Sequence, residues 1–451
     1  MPQVTLSAHD RTIIGVLVLG IALPLLDTTL VNLSLHNIGD QLGAPLSMMQ
    51  WVVTAYTLAA AAAVPLSAWL AARMGAKKLW IISLWLFLIG TALAALAPNV
   101  EYLIFSRVLQ GIATGLLLPT MQTLVVIGMG QNKTRAALSA MSVPSVLAPI
   151  LGPLVGGLVL QFFDWRLIFW LHIPICILAI VFASRVIPHA DPIPAHPFDG
   201  TGFLLLCLGL VAVFYGLSLL STQANPAWLP SLLAGICLMM AFTWHAYRKK
   251  QSALIDIRIF REGKFGACCT LLFLSSIAHY GGILLYPLYL IQAGIYPVQV
   301  VGLLVALHGV GILLARQRLT KTCLRWGDRN VAQGAIALAL VGSTALLLPP
   351  AAYSVYFTAF GMFTRGSGLG ILTLLAMSGA YQGLTVAQVA HGSSLSRLVT
   401  HLGAATGTTL IVVTAVSVGG LGTEHALDYF YGHIALIAAL ALCAFASSRL
   451  E

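Results

Sequence analysis

The residue of this chain best placed to do chemistry is Asp27, in the stretch "LPLLDTTLVNLSLHNI". No other residue between Thr12 and Gly39 carries a formal charge, so this carboxylate belongs to an apolar segment. An ionisable group in such a segment is costly unless it is paired, hydrated or protonated, which makes it a candidate functional group. A carboxylate in that place could take up a proton from one side of a membrane and release it to the other.

Arg107 is the predicted partner of Asp27. On a helix that begins near Arg11, Asp27 would lie about 24 Å along the axis of an apolar core about 30 Å thick. Arg107 follows Glu101 by six residues on a helix that runs the opposite way, so it would lie about 9 Å below the far surface. The two depths agree. Two interpretations remain open: a pair that separates to move a proton, and a static pair that holds two helices together.

A second arginine, Arg365, is predicted near the middle of an apolar segment, within "FTAFGMFTRGSGLG" (357–370). If Asp27 pairs with Arg107, no interior acid remains to neutralise Arg365. A guanidinium there would favour an anionic or zwitterionic ligand, because its planar fork binds carboxylates and phosphates with two hydrogen bonds. The alternative is a guanidinium that bonds to helix carbonyls or faces water.

Further polar or aromatic side chains are candidates to line a ligand cavity. A histidine titrates near neutral pH and could assist proton transfer, and an aromatic ring could stack on a flat ligand. Both residue types are also common in plain packing contacts, so that interpretation stays open. The cavity candidates besides Arg365 are Trp51, Gln110, His279, Tyr280, Tyr286 and His308.

The composition indicates what kind of protein must position these groups. The 451-residue chain is 59% hydrophobic and 8% charged, with a mean hydropathy of +0.94, which excludes a soluble protein. We predict an all-α integral membrane protein with fourteen transmembrane helices, because apolar stretches long enough to cross a bilayer recur along the chain. The predicted spans are 11–34, 48–71, 78–97, 101–128, 136–161, 166–187, 200–221, 228–247, 264–292, 297–315, 330–349, 353–381, 386–416 and 429–449.

Lysines and arginines predict the orientation of these helices, because basic residues accumulate in loops that stay in the cytoplasm. With both termini in the cytoplasm, every Lys and Arg would lie on that side except Arg107, Arg166, Arg365 and Arg397. Topology then accounts for the net charge of +10, and a nucleic-acid partner is not expected. We expect the inner (cytoplasmic) membrane as the location, a monomer, no cofactor and no metal.

The longest polar breaks, at 186–200 and 247–265, divide the spans into groups of six, two and six. We therefore predict an N-terminal six-helix bundle at 1–187, a linker with two extra transmembrane helices and a cytoplasmic loop at 188–263, and a C-terminal six-helix bundle at 264–451. Membrane folds made of two such bundles usually have a ligand cavity at the midplane between them. Glycines four apart in the fourth and twelfth spans agree weakly with an internal repeat.

The segment "APILGPLVGG" (148–157) is predicted to bend the fifth helix. Its prolines remove backbone donors and its glycines remove side-chain bulk, so another helix can approach closely. This pattern is typical of a hinge that also seals. The hinge residues predicted from this pattern are Pro149, Gly152, Pro153, Gly156 and Gly157.

These motifs give the chain a resemblance to the major facilitator superfamily, and within it to the fourteen-helix drug:proton antiporters. The resemblance covers essentially the whole chain. Its landmarks in chain order are "LLDTTLVNLSLHNI", "ARMGAKK", "RVLQGIATG", "GPLVGG", "DWRLIFWLHIPI" and "LIDIRIF". The resemblance implies that Asp27, Arg107 and Gln110 take part in proton coupling. It also implies that the glycines and prolines of the fifth helix close the exporter, and that Gly111, Arg73 and Gly75 take part in gating.

The chain departs from that family in the loop after the second helix, where the usual pattern is G-x-L-A-D-R-x-G-R-K. Here the loop reads "AWLAARMGAKK", with Ala68, Ala72 and Ala76 in place of a glycine, an aspartate and a basic residue. The gating salt bridge expected there cannot form in its usual way. His36 and His172 also replace a usual proline and a usual asparagine. These differences weaken the inference that this chain transports the same molecules as the drug exporters of the family.

We therefore predict a proton-coupled secondary transporter that exports small molecules by alternating access, of the multidrug efflux type. One alternative is a transporter of a specific anionic metabolite such as a carboxylate siderophore, which Arg365 favours. Another is a membrane sensor or structural protein that does not transport. An enzyme is not expected, because the sequence offers neither a nucleophile with a nearby base nor an H-E-x-x-H metal pair.

Overall fold

A computed structural model shows helices throughout the part of the chain that it describes, and no β-strand there. The described residues are 7–44, 46–141, 159, 162–188, 197–222, 226–249, 252–262, 264–292, 295–346, 354–417 and 426–448. The predicted hinge residues Pro149, Gly152, Pro153, Gly156 and Gly157 lie outside the described residues. Their role stays a prediction.

In the N-terminal part of the chain, six α-helices have both ends within the described residues. They are α1 Ala8–Leu42, α2 Leu46–Met74, α3 Ala76–Ala95, α4 Val100–Met129, α5 Gln131–Ala140 and α6 Arg166–Val186. α1 begins with a capping box, in which Ser7 and Asp10 each accept a hydrogen bond from the other's backbone N–H. It ends at Gly43, whose φ of +62° is the left-handed conformation that glycine adopts without strain.

Eight more α-helices follow in the described residues. They are α7 Gly200–Thr222, α8 Trp228–Lys249, α9 Phe265–Gln292, α10 Val298–Trp326, α11 Asp328–Ala345, α12 Val355–Gly379, α13 Val386–Ser417 and α14 Ala426–Ser447, with a short 3-10 helix at Ile257–Arg261 before α9. Each of the fourteen predicted spans overlaps one of these helices. For the predicted span 136–161, only the beginning is described, as α5.

Eleven of the described helices contain a segment that is long and apolar enough to cross a membrane. Their surfaces fit a lipid environment. On α8, Leu229, Leu233, Ile236, Met240 and Trp244 recur every three or four residues, share one face and are all exposed. A continuous apolar face of this kind would make a soluble protein aggregate, whereas lipid covers it at no cost. The prediction of an all-α membrane protein is confirmed.

The chain forms two compact units. The first consists of Met1–Val211, Leu238–Ile257 and Leu384–Arg397. In it, α4 packs along α2 and α3, and α6 packs against α1 and α3. One core cluster of this unit surrounds Trp165, which directly precedes α6, and Phe169 of α6 with apolar side chains from α1 to α4.

The second unit consists of Ala212–Cys237, Arg258–Gly383 and Leu398–Glu451. In it, α12 packs along α10 and α11, while α14 packs against α9 and α11. The order of contacts along the chain is thus similar in both units. The predicted division into 1–187, 188–263 and 264–451 stays a prediction.

Glycines allow the closest helix approach in the first unit. Gly111 and Gly115 of α4 face α2, where a Cβ at either position would overlap the backbone carbonyl oxygen of Tyr56 or of Ala60. Small residues suit this place, because membrane helices associate through close packing rather than through the hydrophobic effect. Gly111, predicted as a gating residue, therefore lies where α2 and α4 touch.

The second unit repeats this arrangement. Gly366 and Gly370 of α12 face α10, where an added Cβ would overlap the backbone of His308 or of Ile312. The weak glycine similarity between the fourth and twelfth spans thus corresponds to one shared packing mode.

A carboxylate anchors the start of α7 to α8 in the first unit. Asp199 is 1% exposed and accepts hydrogen bonds from His245 Nε2 at 2.9 Å and Lys249 Nζ at 2.8 Å, both on α8. The backbone N–H of Leu254 donates a third at 3.1 Å. Burial raises the pKa of the Asp199 carboxyl, but the hydrogen bonds from Lys249 and His245 outweigh burial and lower that pKa to about 2.

Candidate functional site

Asp27 of α1 and Arg107 of α4 form an ion pair inside the first unit. Nη1 of Arg107 donates to Oδ2 of Asp27, and the two side chains are 1% and 0% exposed. Two opposite charges removed from solvent are stable only when they remain paired and hydrogen-bonded. The structure thus brings together the two residues that helix depth alone had paired. Their coupling role stays a prediction.

Gln110 connects both members of this pair. Its Oε1 accepts a hydrogen bond from Arg107 Nη1 at 2.8 Å, and its Nε2 donates to Asp27 Oδ1 at 3.4 Å. The same Nε2 donates to Thr91 Oγ1 on α3 at 2.9 Å. Both carboxylate oxygens of Asp27 therefore have donors, and α1, α3 and α4 are connected through one amide.

Arg107 has further partners on α2. Its Nε donates to the carbonyl of Val52 at 3.3 Å, and its guanidinium carbon lies 4.3 Å from the centroid of the Tyr56 ring. An arginine over an aromatic face is stabilised by the negative potential of the ring. The hydroxyl of Tyr56 is itself fixed by a 2.9 Å hydrogen bond with Thr114 on α4. Arg107 therefore keeps several favourable contacts that do not depend on the charge of Asp27.

The local sequence of α1 weakens the helix next to Asp27. Pro24 lies one turn earlier and has no N–H to donate to the carbonyl of Gly20. Gly20 also has no side chain, and a Cβ there would come within 2.5 Å of the Trp80 ring on α3. Thr28 donates its hydroxyl to the carbonyl of Pro24 at 2.8 Å. Asp27 thus lies on a helical turn that has fewer main-chain hydrogen bonds than a turn of an ordinary α-helix.

The predicted gating residues Arg73 and Gly75 lie in the last turn of α2 and between α2 and α3. Gly75 has a φ of +85°, which glycine adopts readily, and its N–H donates to Ala71 O at 2.9 Å. Arg73 is exposed, with its guanidinium carbon 5.4 Å from the Trp69 ring centroid. No ion pair of Arg73 occurs among the described residues, in agreement with the alanine at position 72. The gating role of this loop stays a prediction.

Hydroxyl pairs connect α13 to α2 and α4 within the first unit. Ser394 Oγ lies 2.8 Å from Ser67 Oγ, and Ser393 Oγ lies 2.9 Å from Thr123 Oγ1. All four side chains are buried. None of these four residues is among those predicted from the sequence. Their only signal was a pair of adjacent serines in a long apolar helix.

In the second unit, Arg365 of α12 is 1% exposed. Its Nη2 donates to the carbonyl of Ala278 on α9, and its guanidinium carbon lies 4.7 Å from the Tyr286 ring centroid. Its Nε has no hydrogen-bond partner, and no acid pairs with it, within the described part of the chain. The guanidinium thus bonds to a helix carbonyl, as the alternative interpretation has it, and its binding of an anionic ligand stays a prediction.

His279 of α9 and His308 of α10 lie next to each other near this arginine. Their rings are stacked with centroids 5.6 Å apart. His308 Nδ1 lies 3.2 Å from the carbonyl of Met362, and because a carbonyl only accepts, this nitrogen carries the proton. His308 Nε2 and His279 Nδ1 have no hydrogen-bond partner among the described residues.

The predicted cavity residues thus separate into groups. Arg365, His279, Tyr286 and His308 come together on α9, α10 and α12, whereas Gln110 belongs to the Asp27 ion pair. Tyr280 touches His279 edge to face at 5.0 Å but is 38% exposed, and Trp51 on α2 is 45% exposed. Lining of a cavity by any of these residues stays a prediction.

This chain is similar to known membrane transport proteins along most of its length. A family model described as Major Facilitator Superfamily matches residues 17–408. The Multidrug resistance protein B homolog of Mycobacterium tuberculosis is 29% identical over 404 residues, which cover 88% of this chain and 75% of that protein. The Putative multidrug resistance protein MdtD of Klebsiella pneumoniae is 27% identical over 465 residues, covering 98% and 95%.

A solved structure has the same fold. The human organic anion transporter MFSD10 aligns with a TM-score of 0.68, covering 99% of this chain and 100% of that chain at 14% sequence identity. At this low identity the likeness shows the fold alone.

Proposed function

This chain belongs to the major facilitator superfamily of membrane transporters, and on that premise we propose that it exports small molecules in exchange for protons. Relatives named as multidrug resistance proteins support efflux of the multidrug type. The protein works by alternating access as a monomer in the inner membrane, with both termini in the cytoplasm. Its cargo is a small molecule, and its second substrate is the proton.

The observation that carries this proposal is the buried pair of Asp27 and Arg107. Asp27 is the one acid among the described residues that lies away from the ends of the membrane spans and is fully buried. A buried carboxylate bonded to an arginine favours the ionised form, while removal from water favours the neutral form. The balance between these effects changes whenever the pair moves apart, and that change couples protonation to conformation.

In the proposed cycle, Asp27 accepts a proton from the outside and its contact with Arg107 loosens. The return of the protein to its inward-facing state then carries the proton in. The other contacts of Arg107 support this step, since the Gln110 amide, the Val52 carbonyl and the Tyr56 ring still hold the guanidinium when Asp27 is neutral. Separation of the pair therefore costs less than it would for an arginine with a single partner.

Proton movement in vesicles tests the proposal. The purified full-length protein is reconstituted with a pH-sensitive dye inside, and cationic dyes and polycarboxylates are added in turn. The parent, Asp27→Asn and Asp40→Asn are compared, because Asp40 is an exposed acid of the same helix. We expect one compound class to drive proton flux in the parent and in Asp40→Asn, and at least a tenfold loss of flux in Asp27→Asn with cargo binding retained. Undiminished flux in Asp27→Asn would leave the pair a structural element.

A further inference from the structure

The second unit contains a buried positive charge that the proposed proton cycle does not use. Arg365 is fully removed from solvent, and its described contacts are one backbone carbonyl and one aromatic ring. Neither contact neutralises its charge. A charged group inside a membrane protein without a counter-ion is costly, and such groups mark binding sites or ion pathways by default.

The fold of this unit makes room for the Arg365 side chain. A Cβ at Gly282 on α9 would overlap the guanidinium, and a Cβ at Gly342 on α11 would come within 2.8 Å of the Arg365 Cβ. Gly282 thus leaves room for the guanidinium itself, while Gly342 lets α11 approach the backbone of α12 at Arg365.

Polar atoms without partners surround the same place. Besides Arg365 Nε, they include His308 Nε2 and His279 Nδ1, all within the described residues. A buried polar atom without a partner destabilises the protein, so a group of them is a site that a ligand can satisfy. Aromatic rings complete the surroundings, since Tyr286 lies under Arg365 and touches the His433 ring at 5.1 Å.

We propose that Arg365 anchors a binding site in the second unit for a small organic carboxylate with a flat apolar body. The carboxylate supplies the missing counter-charge and bonds to the guanidinium, whose fork matches a carboxylate. The apolar body lies among the histidine and tyrosine rings, and His308 Nε2 accepts a hydrogen bond from a polar substituent. Both the access of this ligand to Arg365 and its naming as the cargo rest on the proposed transport function.

Arg365 is enclosed in this structure, so the ligand binds in a conformation in which α9 and α12 leave the guanidinium accessible. Alternating access supplies such a conformation. The bound anion in turn lowers the cost of holding the arginine inside the membrane. A cation of similar shape would be repelled, which gives the site its charge preference.

The test measures binding rather than transport. The full-length protein in detergent is titrated calorimetrically with 2-naphthoate and with its uncharged isostere 2-naphthamide, at low and at high chloride. We expect 2-naphthoate to bind at least tenfold more tightly than 2-naphthamide. Equal affinity for the two probes, or chloride that displaces 2-naphthoate competitively and binds as tightly, overturns the carboxylate assignment.

Variants locate the site. We expect Arg365→Gln to abolish the preference for 2-naphthoate, and Arg365→Lys to weaken it because the fork is lost. Gly282→Ala keeps the charge but pushes the guanidinium aside, so it weakens binding in a protein that retains its arginine. A preference that survives in all three variants overturns the proposal.

Matched controls separate this site from general charge effects. Arg316→Gln removes an arginine of the same unit whose donors already bond to Gly370 O at 2.9 Å and Thr373 Oγ1 at 2.7 Å, so binding is expected to be unchanged. Gly302→Ala is the control for Gly282→Ala, because it adds a methyl group in open space on α10 and is expected to leave binding unchanged. Asp27→Asn is expected to bind 2-naphthoate normally, so a failure of proton coupling is distinguishable from a failure of this site.

Discussion

Arg365 has the same place on α12 that Gln110 has on α4. Each directly precedes the first of two glycines spaced four apart, Gly366 in one case and Gly111 in the other. Each of these glycines touches the backbone of the neighbouring helix, α10 or α2. The same register on two similar helices thus carries a neutral amide in one unit and a cation in the other.

The equivalence extends to a third helix in each unit. A Cβ at Gly90 on α3 would come within 2.8 Å of Gln110 Cγ, and a Cβ at Gly342 on α11 would come as close to Arg365 Cβ. The amide completes an ion pair that is already neutral, whereas the arginine adds a charge without an acid. One packing scheme therefore holds both the residue proposed to assist proton coupling in the first unit and the residue proposed to bind an anion in the second.

The glycine pairs give a first prediction about stability. Gly111→Ala and Gly366→Ala each place a methyl group against a backbone carbonyl, that of Tyr56 or of His308, and backbone cannot move aside easily. We expect each to lower the free energy of unfolding by about 2 kcal/mol. The check is the midpoint of thermal unfolding in detergent. Gly128→Ala is the control, because its Cβ meets no atom within 4 Å, and an equal loss there would contradict the packing argument.

Asp199 gives a prediction about pH. Its pKa falls from an ordinary 3.8 to about 2 on folding, so the unfolded chain binds more protons between these values. The stability that Asp199 contributes is therefore complete above about pH 4 and is lost as the pH falls towards 2. Asp199→Asn should lower the free energy of unfolding by about 2 kcal/mol at pH 6 and much less at pH 2. Thermal unfolding of the parent and of Asp199→Asn at both pH values tests this prediction. An equal loss of stability at both pH values would refute the lowered pKa of Asp199 as its cause.

Some contacts of the ion pair could be predicted from the sequence, because a helix has a fixed rise per residue. Asp27 and Arg107 each lie at a countable distance from a polar end, so their depths could be compared without a structure. The isolation of Arg365 followed from a count of interior acids. These inferences need only the lengths of the apolar stretches and the positions of the charged residues, and both can be read directly from the sequence.

Contacts that depend on helix rotation could not be predicted in the same way. Gln110 is a predicted cavity residue, and the family resemblance also implies a part in proton coupling, but nothing in its spacing showed that its amide would bond to both Asp27 and Arg107. The pair formed by Ser67 and Ser394 joins positions 327 residues apart, and serines in helices usually bond to their own backbone. Such contacts depend on which face each helix presents, and an apolar helix carries little periodic signal to fix that face.

Gln110 gives a prediction that distinguishes the charges of the ion pair from the hydrogen bonds that position its two side chains. Gln110→Leu keeps Asp27 and Arg107 but removes the amide that bonds to both and to Thr91. Each lost hydrogen bond is worth about 1 kcal/mol, so we expect cargo-driven proton flux to fall by roughly tenfold while cargo binding changes little. Gln110→Asn, which keeps an amide on a shorter side chain, should recover part of the flux. Flux equal to that of the parent in Gln110→Leu would show that the amide has no part in coupling.

The double variant of the ion pair distinguishes a coupling role from a structural one. Arg107→Gln leaves the Asp27 carboxylate buried without its cation, which costs about 3 kcal/mol or more of stability. Adding Asp27→Asn removes the unpaired charge, so we expect the midpoint of thermal unfolding to recover most of that loss. Proton flux should stay absent in both the single and the double variant, because neither has a carboxylate that can be released from an arginine. If the double variant regained flux together with stability, the pair would serve only to hold α1 against α4, and the coupling acid would have to lie elsewhere.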